Sequence, residues 1–344
     1  MAGSRKKTTL ILLAIAVPLV VLAGTVVALR LYFNEGRLKE LILPRLEAAA
    51  RRPVTLDRVS LSVIPRITVN LEGLTISNRP GQGFTMKPMV SLEELVFALD
   101  FFPLLKGDVR ISTMSFRRPH ILLEVNSNGF SNYSEPDHAG GTPGGEQNGT
   151  GGGILIADAQ ITHGRLEYLN HKENTATVLE GVNYTIEVEA PRDAPRIKIE
   201  GTATVDDFSY GSVSSTLLSG LHLTLEHSLL YTRGSDSLII ERGTGSVNGM
   251  PLLASGFFAD VSSETPHVDL IVTGDNLSIT DLFSLIPREY MSRASGLQGE
   301  GNVQVRVQTT GTLTDSTRLS VVGQIASTNA RAQFTGFPQA ISNI

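Results

Sequence analysis

Acidic side chains that lie close together in the sequence are the first candidates for chemistry. Glu187 and Glu189 are two residues apart, so on a strand they would share one face, as two catalytic carboxylates must. Apolar residues alternate with them, and this alternation is typical of a strand with one solvated face. Asp206 and Asp207 are adjacent, so they would point to opposite faces and could share neither a proton nor a metal ion. The sequence therefore predicts solvated carboxylates at all four positions.

The sequence shows no motif for binding a metal ion or a cofactor. There is no cysteine, which excludes disulfides, thiolate metal sites and a cysteine nucleophile. Of the seven histidines, His222 and His227 are five residues apart, which does not place both rings on one face of a strand. The phosphate-binding loop, the zinc-protease helix motif, the nucleophile elbow and the EF-hand loop are all absent. We expect no enzyme, no cofactor and no metal.

Composition narrows the class of protein. The net charge is −5 and the pI is near 5.8, so the chain lacks the basic surplus that neutralises phosphates, and we expect no nucleic-acid partner. Only 18% of the residues are charged and 33 are glycine. These values favour strands and turns over long helices.

A long apolar segment at residues 10–29 predicts a transmembrane helix. A cleaved signal peptide is the alternative, with Val26, Val27 and Ala28 as its cleavage site, but the apolar run continues to Arg30, which favours an uncleaved anchor. The short N-terminal tail and the Lys/Arg-poor body indicate that the body is exported. The anchor prediction rests on Leu10, Ile11, Leu12, Leu13, Val17, Leu19, Val20, Val21, Leu22, Val26, Val27 and Leu29.

The remaining chain divides into four predicted regions. Residues 1–30 carry the anchor, 31–133 form a first β region, 134–153 are a glycine-rich flexible linker, and 154–344 form a second β-rich region. The first β region begins with an amphipathic helix over 34–51, with Leu38, Leu41, Ile42, Leu46 and Ala49 on its apolar stripe. This helix would either rest on a membrane surface or cap the end of a sheet.

Consecutive strands without helices between them predict an elongated antiparallel sheet with few short helices. Gly73 breaks the alternation of one strand, which is typical of a bulge or tight bend. Residues 71–76 recur weakly as 179–186, which suggests a repeated β unit. One short helix is expected over 281–286, with Thr280 as its N-cap.

Pairs of bulky apolar residues place apolar groups on both faces of several strands. Such a sheet needs a cover, which can be a second sheet, helices or a lipid-filled groove. Leu122, Leu230 and Phe257 belong to such pairs, and we take them as candidates for lining a groove.

The order of several short motifs resembles the AsmA family. The motifs lie at 52–55, 74–78, 102–107, 118–121 and 128–133, with further similar stretches at 161–168 and 275–277. Tyr133 stands where the family often has Trp.

This resemblance implies a bacterial inner-membrane anchor, a periplasmic β-groove that binds or guides phospholipid, and a role in outer-membrane biogenesis. It carries over no catalytic residues. Two alternatives remain open. One is a scaffold or regulator whose sheet edges pair with outer-membrane assembly proteins. The other is an envelope enzyme, such as a glycan hydrolase, whose carboxylates are brought together only by the fold.

Overall fold

The computed structural model describes residues 34–63, 66–79, 83–100, 111–133, 156–190, 194–263, 265–285, 297–313, 319–327, 329, 331–334 and 341–342. The predicted anchor at 10–29 and the glycine-rich segment at 134–153 lie outside these residues. Within the described ranges, no helix combines the length and the apolar character that crossing a membrane requires.

Helix α1, Glu35–Ala50, begins where the side chain of Asn34 accepts a hydrogen bond from the backbone N–H of Arg37. Leu38 is buried against the strands at Val54–Thr55 and Arg58–Ser62, and Ile42 and Leu46 pack beside it. Leu41 is 49% exposed and Ala49 is exposed as well, so the predicted stripe is wrong at these two positions. The helix therefore caps one end of the sheet, which is one of the two roles that the sequence left open for it.

Eighteen strands follow the helix in the described residues. They are β1 (Val54–Thr55), β2 (Arg58–Ser62), β3 (Ile67–Ile76), β4 (Val90–Leu99), β5 (Ile111–Arg117), β6 (His120–Val125), β7 (Ile156–Asn170), β8 (Thr175–Glu189), β9 (Arg196–Ser212), β10 (Ser215–Thr232), β11 (Ser237–Val247), β12 (Met250–Ala259), β13 (His267–Ser278), β14 (Leu297–Glu300), β15 (Asn302–Thr312), β16 (Leu319–Ser327), β17 (Arg331–Phe334) and β18 (Ile341–Ser342).

Fifteen of these strands form one sheet. Thirteen of them pair side by side in the order β1-β3-β4-β5-β7-β8-β9-β10-β11-β12-β13-β15-β16. Strand β2 pairs with β3, and β6 pairs with β4 and β7. The pairing is antiparallel throughout the sheet, as predicted, except that β5 and β6 run parallel to β7. These parallel pairs join the strands on either side of the glycine-rich segment into the same sheet. Strands β14, β17 and β18 form a separate small sheet.

A bend at Gly73 interrupts β3, as the broken alternation predicted. Gly73 has φ +64°, and the carboxylate of Asp57 occupies the place where a side chain would lie. The buried residues of β3 change parity here, from Val69 and Leu71 to Leu74. The same arrangement recurs at the position that the internal repeat predicted: Gly181 has φ +63° and is covered by Asp206. The two segments are therefore the same structural unit.

The short helix near the C-terminal side of β13 is present but begins earlier than predicted. Helix α2 spans Ile279–Ser284, and the side chain of Ser278 caps it by accepting from the N–H of Asp281. The predicted cap, Thr280, instead donates its hydroxyl to the carbonyl of Gly299. Thr280 is therefore not the cap, because its hydroxyl is hydrogen-bonded to the neighbouring strand β14.

Candidate functional site

One face of the large sheet carries a continuous apolar row from β2 to β16. Cross-strand neighbours in register share a face, so the pairing fixes which side chains lie together. The row consists of Val59, Leu71, Leu95, Phe116, Ile161, Tyr184, Ala203, Leu225, Gly245, Leu252, Gly274, Val305 and Ile325. It contains no charged residue, although it crosses nearly the whole sheet.

Three further rows on the same face repeat this composition. The second is Leu61, Val69, Phe97, Met114, Ala159, Ile186, Gly201, His227, Gly243, Ala254, Val272, Val307 and Gly323. The third is Val188, Ile199, Leu229, Ile240, Gly256, Leu270, Thr309 and Val321. The fourth is Ile197, Tyr231, Leu238, Phe258, Val268, Gly311 and Leu319. We call the side with these four rows the uncharged face.

The opposite side of strands β8 to β15 carries the charge, and we call it the charged face. The register places there Glu187, Lys198, Glu200, Glu226, Arg242, Asp269 and Arg306. Arg242 lies 3.2 Å from Glu226, and Lys198 lies 3.0 Å from Glu200. The described part of the sheet is therefore amphipathic, because ion-paired side chains lie on the charged face, whereas the four rows of the uncharged face contain no Asp, Glu, Lys or Arg.

The cover on the uncharged face changes along the sheet. At the β2 end, α1 buries Val59 and Leu71 to 1% exposure. Toward the other end, α2 packs on Leu252 and Val305. Between and beyond these helices the face is open to a degree unusual for a core, since Leu225 is 43% exposed and Ile325 is 74% exposed. In the described part of the chain, these strands have the exposed apolar surface of a binding site.

A tyrosine–histidine pair lies within the uncharged face. The hydroxyl of Tyr184 lies 2.8 Å from Nε2 of His227, with the rings 5.8 Å apart. Burial lowers the pKa of His227 below its ordinary value and raises the pKa of Tyr184. Both side chains are consequently neutral near pH 7. Gly201 leaves room for the pair, because a Cβ at this position would lie 2.8 Å from Nε2 of His227.

The three residues predicted to line a groove lie elsewhere. Leu122 has no exposed surface, because it is enclosed at the β6 edge of the buried polar network described below. Leu230 and Phe257 lie on the charged face, in register with Lys198 and Asp269. Whether they contact lipid stays a prediction. Their neighbours Leu229 and Phe258 are the members of each pair that lie on the uncharged face.

The acidic residues lie where the alternation predicted. Glu187 and Glu189 are exposed on the charged face. Asp206 covers Gly181, and Asp207 accepts a hydrogen bond from the N–H of Gly220. Among the residues that the structure describes, no three His, Asp or Glu side chains are grouped so that they could hold a metal ion.

Glu124 is the centre of a buried polar network that the sequence did not reveal. Its fully buried carboxylate accepts from the N–H and the hydroxyl of Thr85, from the amide of Asn78 at 3.1 Å, and lies 2.9 Å from Nε2 of His171. Asn132 accepts from the N–H of Glu124 and donates to the carbonyl of Leu122. The network ties segments 83–89 and 126–133 to the ends of β6 and β7.

Several motif residues that carry the family resemblance meet in this network. Asn78 ends the motif at 74–78, Asn132 lies in the motif at 128–133, and Arg52, from the motif at 52–55, donates to the carbonyl of Asn132. The motif at 102–107 lies outside the described residues. The motifs are thus distant in sequence but adjacent in the fold, and their shared role is to satisfy buried polar groups.

The model of the AsmA family matches residues 5–254, and the chain belongs to this family. Comparison with curated proteins and with solved structures gave no match.

Proposed function

We propose that this chain is a single-pass protein of the bacterial inner membrane whose periplasmic body binds phospholipid acyl chains and guides them along the uncharged face. Its role would be in outer-membrane biogenesis and envelope maintenance, without catalysis or a cofactor. The observation that carries the proposal is the set of mostly apolar and glycine residues from β2 to β16, in whose four rows there is no Asp, Glu, Lys or Arg.

The energetics of acyl chains support this use of the face. Each methylene group removed from water contributes about 0.8 kcal/mol, and this gain is the same at every point along an apolar path. A charged group on the path would have to be desolvated at a cost of several kcal/mol. A lipid can therefore slide along a face without charges, while its headgroup stays in water.

The direction of the path follows from the chain order. Residues 10–29, the predicted anchor, precede α1, and α1 packs on the β2 end of the uncharged face. A phospholipid leaving the inner membrane would enter at this end and move toward β16. Family membership is compatible with this envelope role.

The test compares two Leu→Asp variants with similar exposure on opposite faces. Leu225 is 43% exposed on the uncharged face, and Leu253 is 53% exposed on the charged face. Residues 34–344 would be exported to the periplasm and purified without detergent, and organic extracts would be analysed by mass spectrometry. We expect phospholipid with the natural sequence and with Leu253→Asp, and loss of most of it with Leu225→Asp. Circular dichroism checks that all three proteins are folded.

A second candidate function is a scaffold for outer-membrane assembly proteins. Strand β16 favours it, because within the described residues β16 pairs on one side only, with β15, and exposes Val321 and Val322. A folded but lipid-free body in the same experiment would support this candidate over the lipid path.

A further inference from the structure

Three exposed apolar side chains project from two segments at one end of the sheet. Met86 is 97% exposed, Phe130 is 61% exposed and Tyr133 is 48% exposed. Segment 83–89, which carries Met86, lies between β3 and β4 in the chain, and segment 126–133, which carries Phe130 and Tyr133, follows β6. We call these three residues the apolar tip.

The backbone beneath the apolar tip is held firmly. Thr85, next to Met86, is bound to Glu124 through both its N–H and its hydroxyl. Phe130 exchanges two hydrogen bonds with Asn126, through its N–H and its carbonyl. Buried polar networks of this kind rigidify the segments they join. The exposure of the apolar tip is therefore a fixed property of the fold, and its apolar surface is presented to something outside the protein.

The charge around the apolar tip is mostly basic. Lys87 follows Met86 and is 58% exposed, although its ammonium lies 3.5 Å from the buried Glu167. Lys172 is exposed, and its side chain packs over Gly129, the residue before Phe130. Glu173 is the exposed acid of the same turn, where it accepts a hydrogen bond from Asn170. Aromatic and apolar side chains with lysines nearby are suited to the interface of an anionic membrane.

We propose that the apolar tip inserts into the headgroup region of the phospholipid membrane that carries the protein, with Lys87 and Lys172 contacting lipid phosphates. The inference rests on the proposed membrane localisation, and it does not depend on lipid binding by the uncharged face. It fixes the body to the membrane surface at a second point besides the anchor.

Two observations favour a membrane over a protein as the occupant. Met86 and Phe130 project from two separate segments, whereas a protein-binding groove would partly bury them. Tyr133 is half-buried, and its side chain is hydrogen-bonded to Tyr168. The tip is also linked to the end of α1, because Arg52 donates to the carbonyl of Asn132. Helix α1 begins within a few residues of the predicted anchor and spans about 24 Å, so the tip at its far end reaches the bilayer when the helix lies along the membrane surface.

The absence of tryptophan from the chain provides a direct test. Phe130→Trp introduces a unique fluorophore at the tip, and Phe257→Trp introduces one on the charged face at 40% exposure as the matched control. The full chain would be reconstituted in vesicles of phosphatidylethanolamine and phosphatidylglycerol, with and without brominated acyl chains. We expect blue-shifted emission at position 130 that is quenched severalfold more than emission at position 257.

Emission from position 130 that is unshifted and unquenched in the folded protein would overturn the proposal. Lys172→Glu in the Phe130→Trp protein should reduce the quenching, and unchanged quenching would contradict the role of the lysine. Leu225→Asp separates this inference from the lipid path. Quenching at position 130 that persists in that variant supports the tip even if the uncharged face binds no lipid.

Discussion

The hydroxyl of Tyr184 and Nε2 of His227 lie 2.8 Å apart on the face of the sheet that otherwise carries apolar residues, glycine and one threonine. His227 is 6% exposed, so protonation would place a charge in the middle of the proposed lipid path. Burial holds the pKa of His227 below its ordinary value, which keeps the ring neutral and the face uncharged near pH 7.

The lowered pKa of His227 predicts a stability that depends on pH. The unfolded chain binds a proton at this histidine near pH 6.5, whereas the folded protein resists it. The free energy of unfolding should therefore fall as the pH drops below about 6.5 and through the lower folded pKa. The His227→Leu variant should lose less stability over this range. Urea unfolding at about pH 7.5 and about pH 5.5 measures the loss in both proteins. Equal losses in the two proteins would show that His227 does not contribute.

Replacement of the buried carboxylate should weaken the motif network. Glu124→Gln brings an amide N–H₂ toward the donors of Thr85 and Asn78, so at least one buried donor loses its acceptor. We expect a decrease of about 2 kcal/mol in the free energy of unfolding. The control is Glu187→Gln on the exposed charged face, which should change stability by less than about 0.5 kcal/mol. Similar effects from both variants would contradict the structural role of Glu124.

Gly181, the glycine of β8 that Asp206 covers, allows a graded comparison of alanine variants. Gly220 has φ +74° and open space around it, so Gly220→Ala should cost about 1 kcal/mol from backbone strain alone. Gly181→Ala adds a clash, because its Cβ would lie 2.1 Å from Oδ2 of Asp206, and it should cost more. Asp206→Ala combined with Gly181→Ala should remove part of this excess, because the carboxylate is gone while the Cβ of residue 206 still lies 2.7 Å from the added Cβ. Denaturant unfolding measures the series, and a Gly181→Ala cost no larger than that of Gly220→Ala would refute the contact.

The alternation of apolar and polar residues predicted the strands well, because a strand with one buried and one solvated face has apolar and polar residues at alternate positions. Glu187 and Glu189 lie on the exposed side for this reason. The bend at Gly73 and its repeat at Gly181 were also predictable, since only glycine adopts this backbone freely. The parallel pairing of β5 with β7 was not, because strand direction depends on a long connection and leaves no local pattern.

The location of the candidate site depended on register, which the sequence does not give. Consecutive apolar residues such as Leu229 and Leu230 look alike in the sequence, and only their cross-strand neighbours decide which face each one joins. Without that information, Leu230 and Phe257 cannot be distinguished from Leu229 and Phe258 as candidates for the lipid-binding face. Glu124 was missed because a carboxylate that alternates with leucine resembles any solvated strand residue, and its partners come from distant loops.

The consecutive residues Phe257 and Phe258 allow the most direct measurement of whether lipid runs along the uncharged face. A photocrosslinking phenylalanine analogue at each position would be activated in living cells whose phospholipids carry radioactive phosphate. Phe258 lies on the uncharged face and Phe257 on the charged face, so their environments differ only by the side of one strand. The lipid path predicts labelled protein with the analogue at position 258 and little label at position 257. Equal labelling at both positions, or no label at position 258 in the folded protein, would contradict it.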